Sequence, residues 1–223
     1  MAIANPFDRP ITFAVAPILN FSGEFDLDPI KAADLLASEL ASIEGVSVLP
    51  VNRVVAFLAT QGKQQIESPA HALDVAEAVG ADAILVAGIT EYDPYTPVLG
   101  LALQMYAAPG KSLPAFDPVA ASRQSQVLNI TEMADALQPA GQVQRVYNGN
   151  HAQVTEAVRR YASGRSEGRN PFGWRQYLKV QTMFLRFCWH DAARRLMRQS
   201  ATHRARDPEN TILASGILVE VAE

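Results

Sequence analysis

VGADAILVAGI, residues 79–89, decides the fold. From Ala81 to Ile89 the run is apolar apart from Asp82, with no polar alternation. A strand of that kind is buried on both faces, as in the middle of a sheet whose neighbours are joined through helices. Gly80 closes the preceding helix in a left-handed conformation. Asp82 is placed to bond backbone groups in the helix-to-strand turn. Gly88 allows close backbone approach within the strand.

Working outward, ITFAVAPI (11–18) reads as a second buried strand and NFSGEFDLDP (20–29) as the loop after it. Pro29 suits the first turn of a helix whose Ile30, Ala33, Leu36, Ala37, Leu40 and Ile43 form an apolar stripe, with Gly45 as its stop. VSVLPV (46–51) is a further strand. Asn52 is expected to cap the next helix, which turns Val54, Val55 and Leu58 inward and ends at Gly62. Ser68-Pro69 opens a third helix, with Ala72, Leu73, Val75, Ala76 and Val79 inward. LGLALQMYA (99–107) then returns antiparallel to the central strand.

The order β-α-β-α-α-β-β predicts an α/β fold over residues 10–107: a two-layer or three-layer sandwich on a mixed, mostly parallel sheet, with C-terminal helices added. Between the last two strands, ITEYDPYTPVLGLALQMY (89–106) is expected to leave the sheet at Thr90 and re-enter near Leu99, with Pro94 and Pro97 marking the connection. Glu91 and Asp93 stand two apart with no helper acid, base or metal ligand, so no catalytic pair is assigned. Tyr92 and Tyr95 are expected to be exposed at the tip as candidate partner contacts.

Residues 108–141 are rich in Pro, Ala, Ser and Gln and read as a linker or excursion, with a short helix at Thr131–Leu137. From 142 to 206 the domain is completed. QVQRVYNG (142–149) adds a strand, and residues 151–163 form a basic helix. Phe172 to about Arg198 is the longest helical stretch, its apolar face carrying Trp174, Leu178, Phe184, Leu185, Cys188, Ala192 and Leu196. The tail, 207–223, is a last strand or an unanchored end.

Charge is divided along the chain. Residues 1–107 hold 13 acids and 4 bases, a net −9, while residues 142–206 hold 3 acids and 13 bases, a net +10. Either the basic part meets a polyanion, with Arg194, Arg195 and Arg198 as candidate phosphate contacts, or the two parts attract each other within or between copies.

Other chemistry finds little footing. Gly164-Arg165-Ser166-Glu167-Gly168 fits G-x-S-x-G, with Asp191 and His203 in hydrolase order, but helical, basic sequence precedes it where the motif needs a buried strand. His71, His151, His190 and His203 lack metal-ligand spacing, and no phosphate-binding glycine loop occurs. No catalytic residue, metal site or cofactor is assigned. The single cysteine, Cys188, reads as buried and structural.

Three segments carry a resemblance. Ala16-Pro17 with Asn20, Ser22 and Gly23 resembles the opening "A-P-x-x-N-x-S-G" of the TolB N-terminal-like domain. That class includes the curli-secretion lipoprotein and the LpoB-like outer-membrane lipoproteins that activate peptidoglycan synthases. VLPVNRV (48–54), with Arg53, is similar to its second-strand segment. Gly80, Ala81, Asp82 and Gly88 match its "lGADaivxGxi" hallmark. The match covers about 95 residues, and as a whole the chain resembles members from planctomycete-type bacteria. The resemblance implies an α/β sandwich without catalysis or cofactor. It further implies an adaptor or assembly factor working through envelope-protein contacts, or through self-association, at the periplasmic face of the outer membrane, often anchored by a lipidated N-terminal cysteine. No signal peptide or lipobox cysteine precedes the first strand here. A start recorded downstream of the true one is the expectation that reconciles this with export; otherwise the chain is cytoplasmic. The alternative reading is a cytosolic module that binds nucleic acid through the basic C-terminal helices.

Overall fold

The computed structural model describes residues 5–7, 9–93, 95–109, 138–165 and 172–206, the last six as backbone only. Pro94, the expected helix at 131–137 and the tail from 207 lie outside the described residues.

The fold is α/β, built on a mixed sheet of six strands. Its centre is β4 (Ala83–Asp93). On one side β4 pairs in parallel with β1 (Ile11–Val15), Phe13 opposite Ala83, and further along with the short β2 (Leu19–Asn20). β3 (Val46–Val48) joins the outer edge of β1, also in parallel. On the other side come β5 (Val98–Ala107) and then β6 (Gly141–Asn148), both antiparallel to their neighbours. The segment after residue 141 therefore extends the same sheet.

Helices cover both faces, so the sandwich has three layers. Ile84 and Val86 of β4 face α2 (Val51–Thr60) and α3 (Pro69–Val79). Ala83, Leu85, Ala87 and Ile89 face α1 (Pro29–Leu40), α4 (Ala152–Ser163) and, beyond the short α5 (Gln176–Lys179), α6 (Gln181–Arg206). The unbroken apolar run of β4 serves two cores at once.

The expected boundaries of α3 hold, whereas α1 ends at Leu40, short of Ile43 and of the expected stop at Gly45. Ser68 accepts a hydrogen bond from the His71 amide at 3.1 Å and Pro69 occupies the first turn. Gly80 ends α3 at φ +75°. Asp82 goes further than expected. Its carboxylate accepts the Thr12 amide of β1 at 2.9 Å, and Arg9 pairs with it at 3.1 Å. It thus clamps two neighbouring strands rather than a local turn. Gly88 makes room for a side chain: a Cβ there would stand 2.9 Å from the Phe21 ring.

Four expectations are corrected. β4 does not end at Thr90. It continues to Asp93 through a register shift between Ile89 and Glu91, and Tyr92 pairs with Leu99. The bulge is accommodated by Gly100, where a Cβ would lie 2.7 Å from Thr90 Oγ1. The cap of α2 is Pro50, not Asn52. Pro50 has no N–H for the sheet, so β3 stops at Val48 and the helix begins at once on the buried Val51. Ile30 is exposed, because α1 buries Ala32, Ala33, Leu36, Glu39 and Leu40 instead. The long C-terminal helix is broken at Val180, whose extended backbone (φ −104°, ψ 111°) separates α5 from α6.

Gly100→Ala should destabilise the protein by about 1–3 kcal/mol, because the new methyl is forced onto Thr90 Oγ1 and the bulge backbone. Thr90→Ala in the same chain should restore part of that loss in urea melts.

Candidate functional site

Three arrangements gather polar or exposed aromatic side chains. The first is the end of the sheet where β4 turns into β5. Asp93 Oδ1 accepts the amides of Tyr95 (2.8 Å) and Thr96 (3.1 Å), and the Thr96 hydroxyl donates to Oδ2. Hydrogen bonds from Thr96 and from the Tyr95 amide hold the Asp93 carboxyl below its usual range. This carboxylate caps a turn.

The structure separates the two tyrosines expected at the tip. Tyr92 is half-buried against the core, and its hydroxyl donates to Gln181 Oε1. Gln181 Nε2 in turn donates to the Asp93 carbonyl at 3.1 Å, so α6 is tied to the hairpin at its first residue. Burial, with the charges of Asp26 and Glu24 nearby, pushes the Tyr92 phenol up. The period-2 alternation explains the difference: once the strand runs on to Asp93, Tyr92 points toward the core. Tyr95, in the turn, is 95% exposed.

Beside this tip runs the loop after β2. Asn20 braces it, accepting from the Ser22 amide and hydroxyl at 3.1 and 2.7 Å and donating to the Glu24 carbonyl at 2.7 Å. Phe25 on that loop is 100% exposed. The cleft under the tip measures about 20 Å³, room for roughly one water. This end of the molecule therefore offers a surface and not a pocket.

The second arrangement is buried. Glu39 of α1 is 2% exposed, and its two oxygens meet Arg165 (2.7 Å), Tyr161 (3.1 Å), Arg186 (3.2 Å) and His190 (3.3 Å). Burial pushes its carboxyl up, but the hydrogen bonds from His190 and Arg165 and the Arg165 charge win and hold it at about 2. Sequence reasoning missed Glu39. Its signal is a carboxylate inside the apolar stripe of α1, in the acid-rich half of a chain whose other half is basic. At this point the two halves attract each other.

The third is a groove of about 1120 Å³ between α4 and α6, floored by β6. It brings together Arg194, Arg195 and Arg198, the arginines singled out from sequence, and adds Arg145, Arg160 and Arg165. Arg195 is bound to Asp191 at 2.7 Å, and Asp191 also accepts the Tyr147 hydroxyl at 3.0 Å. Arg194 has no ion pair among the described residues. Burial, the Arg198 charge and, more weakly, that of Arg160 push its guanidinium down.

The G-x-S-x-G motif begins at Gly164, which follows helix α4 and not a strand, and Ser166 lies outside the described residues. Asp191, its proposed partner, is held by Arg195 and Tyr147. Among the described residues no group of three or more His, Cys, Asp or Glu side chains could hold a metal. His71 is bonded to Gln61 at 2.8 Å, and burial keeps its ring less basic than usual. Cys188 is fully buried, and burial pushes its thiol well up. Among the described residues no helix is long and apolar enough to cross a membrane.

The chain matches no protein-family model and no curated protein. Among solved structures it is similar to the LpoB C-terminal domain from Salmonella enterica, at 16% identity and a TM-score of 0.39 over 48% of this chain and 78% of that one. The lipoprotein GNA1162 from Neisseria meningitidis is similar at 14% identity and a TM-score of 0.42, over 72% of this chain and 100% of that one. A PelC dodecamer from Paraburkholderia phytofirmans is similar at 17% identity and a TM-score of 0.30, over 47% of this chain and 64% of that one.

Glu39→Gln should cost about 3–5 kcal/mol at neutral pH, since it leaves Arg165 and Arg186 without their counter-charge. The carboxyl sits at about 2 in the fold against 4.5 free, so its contribution is complete above about pH 4.5 and is lost as pH falls toward 2. Urea midpoints of the wild type and the variant should therefore converge across that window; a gap unchanged down to pH 2 would contradict this. Tyr92→Phe should lower stability by about 1 kcal/mol through its bond to Gln181, whereas Tyr95→Ser should leave the melting midpoint unchanged.

Proposed function

We propose that the protein is a non-catalytic adaptor or assembly factor of the bacterial cell envelope, working through protein–protein contacts at the hairpin end of its sheet. The observation that carries this is the pair of fully projecting aromatics, Phe25 and Tyr95, each on a turn braced by its own side-chain hydrogen bonds. Aromatics carried on braced turns need little further backbone ordering when a partner covers them, and such residues dominate interface energetics. A floppy loop would hide or average them.

The envelope setting rests on the three sequence segments that resemble the TolB N-terminal-like class. Residues from those segments have definite physical roles in the fold. Asn20 braces the loop that carries Phe25, Asp82 clamps β4 to β1, and Gly88 seats Phe21. Tyr92 supports the contact surface from below while Tyr95 forms it. Residues 10–107 with 142–206 are the working unit. Export requires a leader upstream of the first strand, and attachment to a membrane requires an anchor there.

A photo-crosslinking amino acid at position 95, introduced in the native host, should yield an adduct with an envelope protein or with a second copy of the chain. The same group at the exposed Arg53 should not. Phe25→Ser with Tyr95→Ser should abolish the complex without changing the fold. An adduct confined to cytosolic proteins, or an undiminished complex in the double variant, would overturn the reading.

A further inference from the structure

Among the described residues, the groove between α4 and α6 holds more arginines than the acids facing it pair with. Arg165 and Arg186 share Glu39, and Arg195 takes Asp191. Among the described residues that exhausts the acids facing the inner part of the groove; Glu156 at the rim pairs with Arg159. The guanidiniums of Arg160 and Arg194 have neither hydrogen bond nor ion pair among the described residues. Arg145 crosses the floor over the Tyr147 ring, 5.4 Å from its centroid, and its Nε is buried with no hydrogen-bond partner.

Each of these features is unfavourable in the isolated protein. A buried donor left unmade costs free energy, and like charges crowded on facing helices repel. The depressed basicity of Arg194, caused by burial and then by Arg198 and Arg160, reports the same crowding. An anion laid along the groove would relieve all of them together.

The shape and lining narrow the class of anion. α4 has 12 residues and spans roughly 18 Å. That is about the length of five or six extended residues, too long for one small anion. Ala157 and Tyr161 line the groove and are half-buried, so apolar side chains are accommodated between the guanidiniums. The geometry points to an acidic peptide segment of a partner protein, with carboxylates reaching Arg145, Arg160 and Arg194 and interleaved apolar side chains against Ala157 and Tyr161.

This site is distinct from the hairpin end. Arg194 lies roughly 20 Å along α6 from Gln181, which holds the hairpin, so the two surfaces can fail independently. The probe is a fluorescein-labelled octapeptide alternating Asp or Glu with Leu or Phe, followed by anisotropy. Saturable binding at low salt that weakens at high salt is expected, with at least a tenfold loss, about 1.4 kcal/mol, in Arg160→Glu/Arg194→Glu. Arg53→Glu and Tyr95→Ser should bind as wild type. A labelled octathymidylate serves as the second arm; tighter binding of it than of the peptide would assign the groove to nucleic acid and overturn the proposal. So would absence of saturation, or equal binding by the groove variant. Because a charge reversal can unfold a protein, a peptide carrying a photoreactive phenylalanine is also mapped on the unmodified chain. Cross-links in α4 or α6 support the site; cross-links elsewhere refute it.

Discussion

A carboxylate removed from water must be met by the protein or be neutralised. Glu39 is met from four sides, by groups that lie more than a hundred residues further along the chain. Much of the architecture follows from that requirement. α1 supplies the carboxylate, Tyr161 of α4 and Arg165 just beyond it supply two donors, and α6 supplies Arg186 and His190. The three elements that cover one face of the sheet are thereby fixed against one another. The apolar packing of the core that holds Leu36, Phe187 and Leu196 is tolerant of small slips; a carboxylate with directional donors is less so. The ion cluster is better understood as a registration device than as a source of net stability.

The layered fold was legible because its signals are local. An apolar run long enough to be a strand and too uniform to be amphipathic implies burial on two faces, and Ser68-Pro69 and Gly80 mark helix ends through their own backbone chemistry. The errors arose where tertiary pairing overrode local cues. Thr90 looked like the exit from β4 because the polar residues begin there, yet the ladder continues through a bulge that Gly100, on the opposite strand, makes room for. The break at Val180 was invisible in a pattern whose apolar spacing continues on both sides of it.

The sites were less legible for a related reason. Tyr92 and Tyr95 have similar local sequence and opposite fates, decided by which of them remains in the ladder. Glu39 carries no motif at all. The arginine groove was visible only as an excess of charge: Arg194, Arg195 and Arg198 could be named from their helix, but Arg145 and Arg160 join them only when β6 and α4 fold alongside. Composition told how much charge there was, and topology told which charges share one groove.

The long reach of the Glu39 cluster bears on how the chain is made. Synthesis proceeds from the N-terminus, so α1 and the first four strands emerge well before Arg165, Arg186 and His190 exist. During that interval α1 is in place on its face of the sheet while α4 and α6 are not, so Leu101 and Leu103 of β5 lack the cover of those later helices. The closing contacts are among the most distant in sequence, the kind formed last and slowly. The apolar surface facing α4 and α6 is therefore among the last parts of the described fold to gain its cover.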